Sequence, residues 1–168
     1  MKRELKVLTT FNKKDKYYSQ IIDLAKEFWK HLQKIEPVKT IQITSNFEIE
    51  YKNYVKMLMR YNCGSIVIAL IDDKVVGFAL SYVWGKPKYM PSIIENTQTV
   101  ELDELYVNSK YRNQSIGTIL INEVIKTYRD IKCTHMVIGL FSSNKRAYKL
   151  YKKYGFKDNI IELKRELL

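Results

Sequence analysis

The chain has few of the residues that break or cross-link a polypeptide: three prolines, six glycines and two cysteines among 168 residues. Cys63 and Cys133 lie far apart without metal-ligand spacing, so no metal site is predicted and a reducing, cytoplasmic compartment is expected. The longest unbroken apolar run, 66–71, is too short to cross a bilayer, so no membrane segment is expected. No apolar signal-peptide core follows the basic start of the chain.

The chain also has fewer acidic than basic residues, and its net charge is +11. Such an excess is compatible with nucleic acid, an anionic membrane or a phosphorylated ligand as partner, and equally with a Lys-rich compositional bias. The lysines are spread along the chain, without the block of five or six basic residues that a nucleic-acid-binding tail would need. Nucleic acid is therefore not favoured, and the charge alone selects no partner.

The hydrophobic pattern predicts one mixed α/β domain over residues 1–168. Apolar residues alternate in the predicted strands and recur at helical spacing in the predicted helices. The predicted strands are 4–10, 65–70, 74–84, 97–107, 136–140 and 156–163, and the predicted helices are 16–34, 47–58, 116–128 and 144–154. A capping box, Ser45 with Glu48, is predicted to start the second helix. Residues 85–96 form a predicted loop and a candidate substrate lid.

The most informative segment is 101–118, where a strand leads into a polar turn and then into an apolar helix. The turn holds Arg112, Ser115 and Gly117. Free N–H groups at a helix N-terminus favour the binding of phosphate. The acidic residues on the strand lie beside this candidate anion site, so one segment combines ligand binding with candidate bases.

Two motifs give the sequence a family resemblance. The first is Leu105-Tyr-Val107 followed by Arg112 and, five residues later, Gly117; the second comprises Asn144, Ala147, Leu150, Tyr151, Gly155 and Phe156. Together they resemble the GNAT superfamily of acetyl-CoA-dependent N-acetyltransferases. Ser115 departs from the family pattern, which usually has glycine there. The resemblance implies a mostly antiparallel mixed sheet flanked by helices, with one parallel β-α-β crossover.

The resemblance also implies a site for acetyl-CoA. The turn and the helix N-terminus would hold the pyrophosphate, and the main chain of the strand would bind the pantetheine arm. The implied cofactor-binding residues are Leu105, Tyr106, Val107, Arg112, Asn113, Gln114, Ser115, Ile116, Gly117, Thr118, Asn144, Ala147 and Tyr151.

Tyr151 corresponds to the general acid of the family, which protonates the departing thiolate. A phenol has an unperturbed pKa of about 10 and can donate its proton at neutral pH. The alternative is a core residue, since Tyr151 lies in the apolar stripe of its helix. His31, outside the inner stripe of its own helix, is predicted to be a surface residue.

Three strand carboxylates are candidates for the base: Glu101, then Asp103, then Glu104. In a regular strand Glu101 and Asp103 share a face with Leu105 and Glu104 faces the other way, whereas a bulge would change this. An amine of pKa about 10.4 is mostly protonated at pH 7, so a carboxylate could both attract it and take its proton. Each of the three could instead lie on a solvated or salt-bridged strand face.

The expected function is transfer of an acetyl group from acetyl-CoA to a primary amine of a small molecule, by direct attack. A protein or peptide N-acetyltransferase is one alternative, and a non-catalytic acyl-CoA-binding regulatory module is another. The acceptor, the length of the acyl group and the oligomeric state stay open. A homodimer is suggested only by analogy with similar proteins.

Overall fold

Most helices and strands of the structure lie where the alternation and the helical spacing of apolar residues predict them. The computed structural model describes residues 5–9, 16–84 and 98–167. Its strands are β1 (Leu5–Thr9), β2 (Ser65–Ile71), β3 (Lys74–Val83), β4 (Thr99–Val107) and β5 (His135–Val137). Its α-helices are α1 (Tyr18–Ile35), α2 (Phe47–Tyr61), α3 (Ile116–Asp130) and α4 (Lys145–Lys153), and a short 3-10 helix (Ser109–Tyr111) follows β4.

The five strands form one sheet in the order β1-β2-β3-β4-β5. The pairs from β1 to β4 are antiparallel, and β5 lies parallel to β4. One apolar cluster packs α1 and α2 against one face of the sheet, and a second packs α3 and α4 against the other. The predicted mixed α/β fold with one parallel crossover is therefore confirmed. No helix in the described parts of the chain has the length and apolarity needed to cross a membrane.

The end of α4 follows its sequence signal closely. Gly155 has φ +84°, a conformation that glycine adopts without steric cost. The Gly155 N–H donates to Lys152 O and the Phe156 N–H to Tyr151 O, which is the Schellman arrangement. This turn ends α4 at Lys153, within one helical turn of Tyr151.

Three sequence predictions about the elements are wrong. Residues 156–163 form no strand, because a strand needs a partner and none of the described strands pairs with them. The capping box is not formed, since Glu48 pairs with Lys52 and Asn46, the N-cap, makes no side-chain cap. The predicted strand 136–140 is β5, which ends at Val137 rather than at residue 140. The candidate lid, 85–96, lies outside the described residues.

Candidate active site

A bulge in β4 turns three carboxylates to the same face of the sheet. Leu80 of β3 lies opposite Glu104, but its neighbour Ser81 lies opposite Leu102, so Asp103 is an extra residue in β4. An extra residue breaks the strict alternation of side chains. Glu101, Asp103 and Glu104 consequently all face α1 and α2, and the regular alternation considered for this strand does not hold.

Glu104 is the buried member of the group. Its side chain accepts hydrogen bonds from Trp29 Nε1 of α1 and from Tyr51 Oη of α2, each at 2.7 Å. Only 1% of the residue is exposed, and this burial raises the pKa of its carboxyl to about 8. Glu104 therefore joins both helices to the bulge, in a position that a substrate does not reach.

Asp103 and Glu101 are partly exposed and lie closer to solvent. Asp103 accepts a hydrogen bond of 2.9 Å from Tyr54 Oη, and burial raises its pKa to about 6 in spite of that bond. Glu101 accepts from Tyr82 Oη at 2.5 Å and from the indole of Trp84 at 2.6 Å. Trp84 is 48% exposed, so Glu101 lies at the mouth of this face.

The environment of the three carboxylates is aromatic and lacks neutralising charge. Their hydrogen-bond donors are tyrosine hydroxyls and tryptophan indoles. No ion pair within the described ranges involves any of the three. In a chain of net charge +11, this face is thus a local region of negative charge at Glu101 and Asp103, since Glu104 with its pKa of about 8 is mostly protonated at neutral pH. We call it the acidic face. Such a region attracts a cationic ligand.

A cleft of about 370 Å³ lies beside the acidic face, between the end of β4, the start of α3 and α4. It opens because β4 and β5 pair only as far as Glu101 and Val137, so the later part of β4 has no strand neighbour on that side within the described residues. The cleft is lined by Phe28, His31, Leu105, Tyr106, Val107, Tyr111, Arg112, Asn113, Ser115, Ile116, Gly117, Thr118, Asn144, Arg146, Ala147, Leu150 and Tyr151.

The turn at the start of α3 gives the cleft an anion-binding end. Asn113 and Ser115 have φ values of +64° and +60°, and the helix begins directly after Ser115. The first N–H groups of a helix lack acceptors within the helix, and here they adjoin two guanidinium groups. Arg112 Nε donates to Val107 O at 2.9 Å, and Arg146 donates to Asn113 Oδ1 at 2.6 Å. The Val107 carbonyl therefore already has one donor.

α4 supplies the opposite wall of the cleft. Asn144 caps the helix by accepting a hydrogen bond from the Ala147 N–H at 3.2 Å. Tyr151 lies one to two turns further along, 6% exposed, with its ring 5.6 Å from that of Phe156. Its hydroxyl has no hydrogen-bond partner among the described residues. Burial raises the pKa of this phenol above its usual value, so Tyr151 is neutral and able to donate.

All the residues predicted to bind the cofactor line this cleft except Gln114, which is exposed in the turn. His31 was predicted to lie on the surface, and this is wrong. It is partly buried in the cleft with its ring 6.4 Å from that of Tyr106, and burial lowers its pKa. Its spacing of three residues from Phe28 places both on one helix face, a signal that could have identified it. Phe28, Tyr111, Arg146 and Leu150 also line the cleft, and none of them is among the predicted site residues.

Comparison with known proteins identifies the family to which this fold and cleft belong. The sequence model of the acetyltransferase (GNAT) family matches residues 19–156. The chain belongs to the GNAT family. The family resemblance of the two motifs is thereby confirmed.

Individual relatives of this GNAT chain are distant. An N-alpha-acetyltransferase of Sulfurisphaera tokodaii is 29% identical over 64% of this chain and 65% of its own length. A thialysine N-epsilon-acetyltransferase of Bos taurus is 34% identical over 36% of each chain. The matches thus span less than two thirds of either relative. An aminoglycoside N-acetyltransferase in complex with CoA has a similar fold, with a TM-score of 0.74 at 15% identity over 100% of this chain and 98% of its own.

Ser115 is the main departure of this GNAT chain from its family pattern. Its φ of +60° is the conformation that explains why glycine is usual there, since an L-residue adopts it at a cost of roughly 1–2 kcal/mol. The Ser115 hydroxyl makes no capping hydrogen bond at the start of α3. The backbone conformation of the GNAT turn is therefore kept in spite of the serine, and the N–H groups stay in place.

Proposed function

We propose that this chain transfers an acetyl group from acetyl-CoA to a primary amine on a small, positively charged molecule. The observation that carries the proposal is the bulge at Asp103, which places the acidic face beside the cleft. One strand then presents carboxylates to an acceptor and main-chain groups to a cofactor. The GNAT family assignment supports the reaction type.

The cleft has the chemistry that acetyl-CoA needs. A pyrophosphate is doubly anionic, and the N–H groups of Ile116, Gly117 and Thr118 together with Arg112 and Arg146 favour anions. A Cβ on Gly117 would meet side-chain atoms only at 3.9 Å, so the glycine leaves the backbone accessible and is not required for packing. Acetyl-CoA would supply the acetyl group as a thioester.

Asp103 is the residue that we assign as the base, with Glu101 attracting the acceptor. Its pKa of about 6 leaves Asp103 ionised at neutral pH and more basic than an ordinary carboxylate, which improves proton transfer. Glu101, at the mouth of the acidic face, would hold a second positive charge. Glu104 is enclosed by Trp29 and Tyr51 and is not assigned a direct role.

Asp103→Asn is expected to lower kcat/KM about 100-fold, because a base contributes roughly 10²–10⁴ to the rate. A base acts when deprotonated, so the activity of the unmodified enzyme should rise with pH through about 6. This rising limb of the pH–activity profile should be absent from the variant. Glu101→Gln serves as the matched control: it should raise KM for the amine and keep the limb. A limb near pH 6 that persists in Asp103→Asn would exclude this assignment.

Two measurements on the full chain test the function as a whole. Acetyl-CoA should raise the melting temperature, because a ligand that binds only the folded state stabilises it. Thiol release should then be measured with polyamines, aminoglycosides, lysine analogues and peptides as acceptors. Stabilisation by acetyl-CoA without turnover on any amine would instead favour a non-catalytic acyl-CoA-binding module.

Acetylation of a peptide N-terminus is the second candidate, favoured by the N-alpha-acetyltransferase relative. The α-amino group has a pKa near 8 and needs less help from a base than a side-chain amine does. The two candidates differ in the effect of Glu101→Gln. This substitution should raise KM strongly for a polycationic acceptor and only slightly for a neutral peptide. Comparison of KM for both acceptors at two salt concentrations separates them.

A further inference from the structure

Two carboxylates of the acidic face each keep an oxygen that accepts no hydrogen bond from the described residues. Both donors to Glu101, the Tyr82 hydroxyl and the Trp84 indole, bind its Oε2. The Tyr54 hydroxyl binds Oδ2 of Asp103. The third carboxylate of the face, by contrast, has a donor on each oxygen. An ionised carboxylate accepts on both oxygens, so Glu101 Oε1 and Asp103 Oδ1 are left for the donors of a ligand.

The spacing of these two carboxylates sets the length of a ligand that reaches both. Glu101 and Asp103 lie two residues apart on β4 and face the same side of the sheet. Side chains two residues apart on a strand are separated by roughly 6–7 Å, and by somewhat less where a bulge bends the strand. A ligand with two cationic nitrogens about this far apart can therefore pair with both carboxylates at once.

The surroundings of the pair disfavour a ligand that carries a carboxylate of its own. The charge that raises the pKa of Asp103, after burial, is that of Glu101, and the charge that does so at Glu104 is that of Asp103. No lysine or arginine in the described part of the chain forms an ion pair with the three. An amino-acid acceptor would thus bring its carboxylate into repulsion without a partner, whereas a simple diamine would not.

An aromatic side chain lies beside the pair on β3. The main-chain N–H of Trp84 donates to Thr99 O at 2.8 Å, which holds the end of β3 against β4, and the indole is tied to Glu101. Trp84 is 48% exposed, so part of its ring is open to a ligand bound at Glu101. Ammonium groups and the methylenes next to them both pack favourably on an indole.

We propose that the acceptor is an α,ω-diamine of three to five carbons without an acidic group, with one nitrogen at Asp103 and the other at Glu101. A chain of single bonds near 1.5 Å advances about 1.25 Å per bond when extended, so a diamine of four carbons spans about 6 Å between its nitrogens. This inference deepens the proposed function and rests on it for the reaction. Glu101 and Trp84 determine specificity in it, and neither takes part in the chemistry.

The kinetics of matched amines test the acceptor class. Among diamines of two to eight carbons, kcat/KM should be highest at three to five. 1,4-Diaminobutane should exceed butylamine, which lacks the second charge, by roughly 10–100-fold, because a hydrogen bond between charged groups is worth about this factor. 1,5-Diaminopentane should exceed lysine, which differs from it by one carboxylate, by a similar factor.

Two variants and a control assign this preference to residues. In Glu101→Gln the advantage of 1,4-diaminobutane over butylamine should fall to about threefold or less. Trp84→Leu should raise KM for the diamine roughly two- to fivefold. Glu123→Gln is the matched control, since it removes a negative charge from α3, on the other side of the sheet, and it should leave the advantage unchanged.

Binding without turnover separates this inference from the proposed function. Diamines are titrated by calorimetry into the full chain saturated with coenzyme A, which has no acetyl group to transfer, and their Kd values should follow the same order of length. Equal use of butylamine, lysine and the diamines would overturn the inference and leave the proposed function standing. Absence of diamine binding would also overturn the inference, whichever other amines are acetylated. Diamine binding in the expected order without thiol release from acetyl-CoA would support the diamine site and overturn the proposed function.

Discussion

Tyr151→Phe is expected to lower kcat about 100-fold or more and to leave the Kd for acetyl-CoA within about twofold of its original value. Tyr151 lines the cleft and its hydroxyl has no partner in the described structure, so removal of the hydroxyl costs little packing or hydrogen bonding. What the variant loses is a proton donor for the departing thiolate, and general acid catalysis contributes roughly 10²–10⁴-fold. Steady-state kinetics and calorimetric titration of the cofactor measure the two quantities separately.

Tyr154→Phe is the matched control, since Tyr154 lies at the end of the same helix and packs against the same apolar cluster. It should keep full activity. The pKa of Tyr151 is raised by burial, so the acid stays protonated at neutral and mildly alkaline pH and no loss of activity from its ionisation is expected there. If Tyr151→Phe turns over as fast as the unmodified protein, Tyr151 is a core residue and another donor protonates the thiolate.

Glu104→Gln is expected to raise the free energy of unfolding at pH 9 by several kcal/mol. The folded-state pKa of Glu104 is about 8, against an ordinary value of 4.5. Between these values the folded state binds a proton that the unfolded state does not, so stability falls as pH rises through this range, by about 1.4 kcal/mol per unit. Gln keeps the shape and cannot ionise, so urea denaturation at pH 5, 7 and 9 should show a smaller decline than in the unmodified protein.

Glu104→Leu separates the charge from the hydrogen bonds. It also removes the ionisable group, but it leaves Trp29 Nε1 and Tyr51 Oη without an acceptor, at a cost of about 1–3 kcal/mol each. Leu should therefore be less stable than Gln at every pH, although both lack the pH-dependent decline. Equal declines in the Gln variant and the unmodified protein between pH 5 and 9 would show that Glu104 does not titrate in this range.

Most of the lining of the cleft could be predicted from the sequence because its residues are close in the chain. A turn and the start of one helix supply the residues from Arg112 to Thr118, and one further helix supplies Asn144 and Tyr151. Local conformation therefore determines most of the geometry of the cleft, and the two sequence motifs indicate that conformation. Arg146 was missed although it lies within the second motif, because its contact with Asn113 spans 33 residues.

The arrangement of the acidic face could not be predicted, because contacts distant in sequence determine it. Glu104 is separated by 75 residues from Trp29 and by 53 from Tyr51, and no periodic pattern encodes such pairs. The bulge was recognised only as an alternative, since alternation of side chains does not show which residue will be extra. The same limit applies to residues 156–163, where alternation predicts a strand but contains no information on which strand would pair with it, and the described residues form none there.

The bulge has a consequence for the alignment of related sequences. A regular strand of the same length would turn Leu102 toward α1 and bury Glu101 against α3, whereas a strand shorter by one residue at position 103 would keep both side chains as they are here. In a relative that lacks the residue at position 103, the residue aligned with Glu101 therefore faces the same way as Glu101 does here. The gap in the alignment belongs at Asp103. An ungapped alignment across this point would compare side chains from opposite faces of the sheet.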